Sequence, residues 1–195
     1  RRPPFPPRAS WLPLLERALA EDLGPGDATS AATIAEDARG EAVIEAREAL
    51  VVCGLPIAEA AFAAVDPTLE TKREWNEGEA RERGLPILSV RGSLRAILAG
   101  ERTALNFLQR LCGVATWTRR FALAVEGTGC RVLDTRKTLP GWRVLDKYAT
   151  AVGGAANHRM GLYDAVLVKD NHIAAAGGVT AAARAARAAA PPAPR

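Results

Sequence analysis

After Gly127 the chain reads as three pieces in a fixed order. Residues 130–138, CRVLDTRKT, form a short apolar run ending in cations; PGWRVLDKYATAVGG has helical spacing, with Pro140 near its start and Gly153-Gly154 at its end; DAVLVKD is again a short apolar run bounded by charge. Strand, helix, strand in a unit of roughly 30 residues is the pattern of a parallel crossover. A parallel pair cannot be closed by a hairpin and needs a helix laid across the sheet, so this stretch predicts the opening of an α/β domain. In such folds ligands sit at the carboxyl ends of the strands. Here those ends are Asp134-Thr135-Arg136-Lys137 and Lys169-Asp170-Asn171-His172.

The region before Gly127 follows no such repeat. Trp11, Leu12, Leu14, Leu15, Ala18 and Leu19 recur at helical spacing, with Ser10 placed to cap and Gly24 to stop the helix. LGPGDATS is turn chemistry, in which Asp27 and Thr29 are placed to hydrogen-bond nearby amides. EAVIEAREALVVCG alternates and then turns apolar, as strands do, and IAEAAFAAVD reads as a helix closed by Asp66-Pro67. Breaks at Trp75 to Gly78 and at Gly84 precede ILSVRGSLRAIL. LAGERTALNFLQRLCGVATWTRRFALAV then reads as one long helix, with Gly113 a break or close-packing point. Strands and helices mixed without regular alternation predict an α+β domain. The organisation expected is a disordered Pro-rich leader over 1–9, an N-terminal α+β, sandwich-like domain over 10–113, and over 114–195 the first part of an α/β barrel-like domain.

Composition narrows the function classes. A net charge of +4 is compatible with nucleic acid, but the cations are interspersed with Asp and Glu and aromatics are only 5%, which favours a small anionic ligand. The three cysteines lack CxxC spacing and a nearby zinc-type histidine, so they read as buried reduced thiols. The leader RRPPFPPRAS has no apolar core, and no run approaches the ~18 residues of a membrane span. A cytoplasmic protein is the expectation.

The two strand ends concentrate positive charge. Arg136, Lys137 and Lys169 are expected to face one mouth, with His158 and Arg159 brought close by the loop entering the second run. An Arg fork grips a carboxylate or phosphate through two hydrogen bonds, while Lys supplies a compact point charge. A solvated strand end is the ordinary account of one such pair, and its repetition on successive strands argues against that account. His172 by itself is as well explained by capping a helix. On the long helix, Arg102 and Asn106 lie one turn apart on one side; on a helix that is mostly apolar they are candidates to face a cleft.

Taken together, ALAEDLGPGDATS, AREALVVCGL, ERTALNFLQRLCGVAT, DTRKTLPG and KYATAVGGAANHRMGLYDAVLVKDNHI resemble the quinolinate phosphoribosyltransferase family, the carboxylating nicotinate-nucleotide pyrophosphorylases. The resemblance spans nearly the whole chain after the leader. It implies transfer of a phosphoribosyl group from phosphoribosyl pyrophosphate to quinolinate with loss of carbon dioxide, giving nicotinate mononucleotide for NAD synthesis, with Mg2+ on the donor. It further implies that Arg136, Arg159 and Lys169 hold the quinolinate carboxylates and that Arg102 and His158 line the pocket. By the same resemblance Lys137 contacts the phosphoribosyl donor, Lys137 and Lys169 serve catalysis, and Arg47 reaches into the partner's site of a homodimer.

The chain departs from the family pattern at Ala49-Leu50, where a glycine is usual. The family pattern also continues beyond Arg195 with acidic strand ends that contact ribose and Mg2+, so a C-terminally truncated, incomplete barrel with little turnover of its own is expected. Two other readings fit the same residues. One is a ModD-like phosphoribosyltransferase associated with molybdenum uptake; the other is a non-catalytic anion-binding or dimerisation module.

Overall fold

Trp11, Leu15 and Leu19 fall one turn apart and are all buried, which places helix α1 (Leu12–Leu23) against the core. A computed structural model of the chain describes residues 2–189. Gly24 ends α1 at φ 48°, a left-handed conformation that glycine adopts without steric cost. Ser10 does not cap it. Proline stands in the first turn of α1, where its missing N–H costs nothing, and the Ser10 hydroxyl donates instead to the Pro7 carbonyl at 2.7 Å. The leader is not disordered as its composition predicts: Phe5 meets Trp11 and Tyr148 edge to face at 5.7 and 4.8 Å, and the Trp11 indole N–H donates to Pro6 at 3.0 Å. Two aromatic contacts give the segment apolar surface to bury, which proline content alone does not reveal.

Asp27 is a structural residue. It caps α2 (Ala28–Thr33), accepting from the Ser30 amide at 3.0 Å and from the Ser30 hydroxyl. Five strands and a helix follow: β1 (Arg39–Glu45), β2 (Leu50–Val51), α3 (Leu55–Val65), β3 (Glu70–Arg73), β4 (Ala80–Arg81) and β5 (Pro86–Ser93). β5 is the middle of an antiparallel sheet ordered β1-β5-β3, with Val43 opposite Ser89 and Thr71 opposite Val90, and β2 pairs with β4. A central strand has neighbours on both edges, and Ile87 to Val90 are accordingly buried while β1 alternates half-buried and exposed.

Helix α4 (Leu94–Ala124) begins with Ser93 as its cap. Its buried residues Ile97, Ala104, Phe107, Leu108, Leu111 and Ala115 keep one stripe on the core. Gly113 neither breaks the helix nor marks a close approach, since α4 runs through it and an added Cβ would meet nothing within 4 Å. Burial of the stripe on both sides of it outweighs the ~1 kcal/mol that glycine costs inside a helix. Helix α5 (Arg143–Gly153) packs on α4 where Gly153 allows it: a Cβ there would stand 2.6 Å from the Ala115 carbonyl oxygen.

Neither predicted strand after Gly127 forms a ladder. Residues 131–138 make one parallel bridge, Leu133 to Ala156, with Ala156 N–H donating to Val132 and Asp134 N–H to Ala156. The crossover therefore closes on residues just after α5, before the apolar run that the sequence pattern selects. Ala165 to Val168 form no strand and have no strand partner among the described residues, and Val166 is exposed. An apolar run becomes a strand only when a neighbour accepts its backbone groups.

The chain divides into two units, Arg1–His158 and Arg159–Arg195. The second contains α6 (Asp170–Ala175) and α7 (Val179–Ala189), the latter mostly exposed apart from Ala182. Residues 190–195 lie outside the described residues. Among the described residues no helix is long and apolar enough to cross a membrane.

Candidate anion-binding site

Asp134 organises the first cationic segment. Its carboxylate faces the Lys147 ammonium at 2.5 Å, and the two side chains are 4% and 2% exposed. The same carboxylate accepts from the Asn157 side-chain amide at 2.6 Å and from the His158 backbone N–H at 2.7 Å. Lys147 in turn donates to the His158 carbonyl at 2.9 Å. One buried ion pair thus ties residues 134–138 to residues 157–158. Buried charges of this kind persist only when their remaining hydrogen-bonding capacity is met.

Downstream of Asp134, the Lys137 N–H donates to the Thr135 hydroxyl at 3.0 Å and turns the chain. Asp146 holds the far end. It takes a two-point contact from Arg110 at 3.0 and 2.8 Å and accepts from Leu139 N–H at 3.4 Å, while the Arg110 guanidinium lies over the Trp142 ring at 5.5 Å. Between these anchors sits Arg136, whose Nε is buried and has no hydrogen-bond partner. A buried guanidinium N–H without an acceptor is costly, and a bound carboxylate or phosphate would satisfy it.

The other predicted residues fall as follows. The His158 side chain and Lys137 are exposed. Arg102 is exposed on α4, while Asn106 lines a cleft of about 400 Å³ with Arg17, Asp22, Thr103, Phe107 and Trp142. Of that polar pair, Asn106 is the residue that faces a cleft. Arg47 is exposed in the loop between β1 and β2. In the second unit, Arg159 donates to the Ala165 carbonyl at 2.9 Å and Lys169 is exposed. His172 caps the start of α6, its Nδ1 accepting from Lys169 N–H at 3.1 Å, as its ordinary reading predicts.

A second polar cluster supports the fold. The Glu77 carboxylate accepts from Gly54 and Leu55 N–H at the start of α3, at 2.7 and 2.9 Å, and from the Tyr148 hydroxyl at 3.0 Å. Burial, then the Glu77 charge, pushes the Tyr148 phenol above its ordinary range. Burial likewise raises the Cys53 thiol and pushes Cys112 up to about 12, so both are unreactive packing thiols. Cys130 corrects the expectation of three buried cysteines, for it is exposed in a stretch that forms no sheet.

The family models divide the chain in two. Residues 27–112 match the N-terminal domain of quinolinate phosphoribosyl transferase, and residues 114–195 match its C-terminal domain. The chain belongs to the quinolinate phosphoribosyl transferase family. It is similar to quinolinate phosphoribosyltransferase [decarboxylating] 1b of Nicotiana tabacum, 44% identical over 182 residues, covering 93% of this chain and 51% of that protein. It is also similar to the chloroplastic nicotinate-nucleotide pyrophosphorylase [carboxylating] of Arabidopsis thaliana, 43% identical over 184 residues, covering 94% and 52%. Among solved structures, NadC from Streptococcus pyogenes superposes with a TM-score of 0.92 at 37% identity, covering 97% of this chain and 67% of that one. The chain spans about half the length of these two plant relatives. Its fold is the mixed α/β fold of the quinolinate phosphoribosyl transferases, an N-terminal sheet domain followed by a helical part.

Sequence reasoning missed Lys147 and Asp146. Their signal was present: two adjacent charges stand between Leu145 and Tyr148 in the buried stripe of α5, and both are themselves buried. Among the described residues no group of three or more His, Cys, Asp or Glu side chains is placed to hold a metal ion.

Proposed function

We propose that this chain carries the anion-binding residues of an enzyme that transfers a phosphoribosyl group from phosphoribosyl pyrophosphate to quinolinate, with decarboxylation to nicotinate mononucleotide. The observation that carries the reading is the buried, unpartnered Nε of Arg136, held between two anchored ends of its segment. Within the first unit, Arg136 binds a quinolinate carboxylate, Arg102 and His158 line its pocket and Lys137 contacts the donor phosphates; in the second unit, Arg159 and Lys169 are the carboxylate-binding residues that the family resemblance implies. Mg2+ belongs to the donor and arrives with it. Arg47 reaches the partner's site in a homodimer. Cysteines that form no disulfide suit a reducing compartment such as the cytoplasm.

Departure of pyrophosphate leaves positive character on the ribose, which the pyridine nitrogen attacks. Fixed cations bring the dianionic ring and the donor together and neutralise the leaving group, so catalysis rests on positioning and preorganised charge. Once the ring nitrogen is quaternised, its positive charge stabilises the electron pair left on the adjacent ring carbon when carbon dioxide departs, and that carbon then takes a proton from solvent. A Ser or Cys nucleophile has no part in the scheme.

Calorimetric titration of the chain with quinolinate, beside an Arg136→Ala variant, tests the reading. Saturable binding by the wild type and a marked but measurable weakening in the variant are expected. A folded wild-type chain that takes up no quinolinate would overturn it.

A further inference from the structure

We infer that Lys147 is a positioning residue for the anion site, acting through Asp134 to set Arg136 and Lys137 relative to His158; the inference rests on the quinolinate reading above. Neither partner is open to a ligand. The side chains of Lys147 and Asp134 are 2% and 4% exposed, and the carboxylate is fully engaged. One oxygen accepts from Lys147 and from His158 N–H; the other accepts from Asn157 at 2.6 Å and from the Thr150 hydroxyl at 3.4 Å. Their influence on an anion must pass through the backbone they hold.

That backbone joins the two ends of the unit's cationic set. Asp134 stands two residues before Arg136, and its N–H donates to Ala156 at 3.1 Å. Lys147 reaches across to the His158 carbonyl, and Asn157 spans from Asp134 to the Lys147 carbonyl at 2.9 Å. Stability alone gives little reason for a lysine here, because a buried ion pair is commonly no more stabilising than apolar side chains of similar volume. What an ammonium does that an apolar group cannot is fix two acceptors on separate segments at defined distances from one atom. Lysine suits the task as a compact point charge, and the longer, planar guanidinium of arginine does not.

The test uses the 195-residue chain with Lys147→Met, and Asn157→Ala as a gentler variant that removes an exposed member of the same network. Quinolinate affinity is measured well below each variant's melting temperature, alone and combined with Arg136→Ala. Lys147→Met is expected to weaken binding on the order of tenfold, short of the hundredfold that an ångström of misplacement can cost. Asn157→Ala weakens it less. Neither adds to the loss caused by Arg136→Ala, since both act through that residue, and this non-additivity is what general destabilisation would not produce. Folded variants that bind like the wild type, or whose losses add fully to that of Arg136→Ala, would overturn the inference. If Lys147→Met does not fold, Asn157→Ala decides. If the wild type binds no quinolinate, the functional reading fails separately, and the imidazole resonances decide: a shifted His158 signal with an unchanged His172 signal supports positioning, and an unchanged His158 signal refutes it.

Discussion

Helices α3 and α5 both pack on α4, yet they are built differently. α3 buries Leu55, Ile57, Ala58, Ala61 and Phe62 and no charged residue; α5 buries Leu145, Ala149 and Val152 together with Asp146 and Lys147. Apolar burial is non-directional and rewards any close fit. Buried charges demand partners at set distances and angles, and those of α5 find them on residues 134, 139 and 158 and on Arg110. One helix completes a core. The other completes a core and also fixes the shape of a cationic loop.

The contrast is broken most severely by Phe62→Ala. It leaves a void where α3 meets Gly100 of α4 and is expected to cost about 4 kcal/mol in chemical denaturation, with quinolinate affinity unchanged in the folded fraction. A parallel loss of affinity would mean that α3 also shapes the site. Asp146→Ala should be milder in stability, about 2 kcal/mol, because Arg110 keeps a third of its side chain in water. Unlike Phe62→Ala it should weaken quinolinate binding, by releasing Leu139 at the end of the Arg136 segment; unchanged affinity would show that the Asp134 end suffices.

Tyr148→Phe removes the α5 hydrogen bond to the Glu77 carboxylate that caps α3 and should cost about 1 kcal/mol. Its pH signature is more telling. The Tyr148 phenol is raised in the folded state by burial and by Glu77, so the folded chain holds that proton where the unfolded chain loses it. Its contribution is complete below the ordinary tyrosine range and is lost as pH rises through that range and beyond. Melting temperatures followed into alkali should fall less steeply in the variant, the remaining slope coming from Cys53 and Cys112. An identical slope would remove Tyr148 from the account.

Much of this architecture is legible without coordinates. The apolar stripe of α4, the closing of α3 at Asp66 and the stop at Gly24 follow from spacing and from backbone chemistry local to each residue. Arg136 was legible as a cation at the end of its segment, and His172 as a cap. Asp134 was visible only as a residue beside cations, since nothing in DTRKT names a lysine 13 residues away as its partner. The strands predicted at 130–138 and 164–170 failed for a related reason. Their composition suits a sheet, but backbone pairing belongs to a neighbour, and Ala156 supplies it at one position in the first run.

The sequence by itself determined the helices, the buried faces and the identities of the cations, because periodicity, glycine and charge act over a few residues. Tertiary structure alone decided which charges are buried, that Asp134 and Asp146 hold the two ends of the Arg136 segment, and that Arg136 Nε is left without an acceptor. Those outcomes depend on distances between residues far apart in the chain, and such distances exist only once the core has packed.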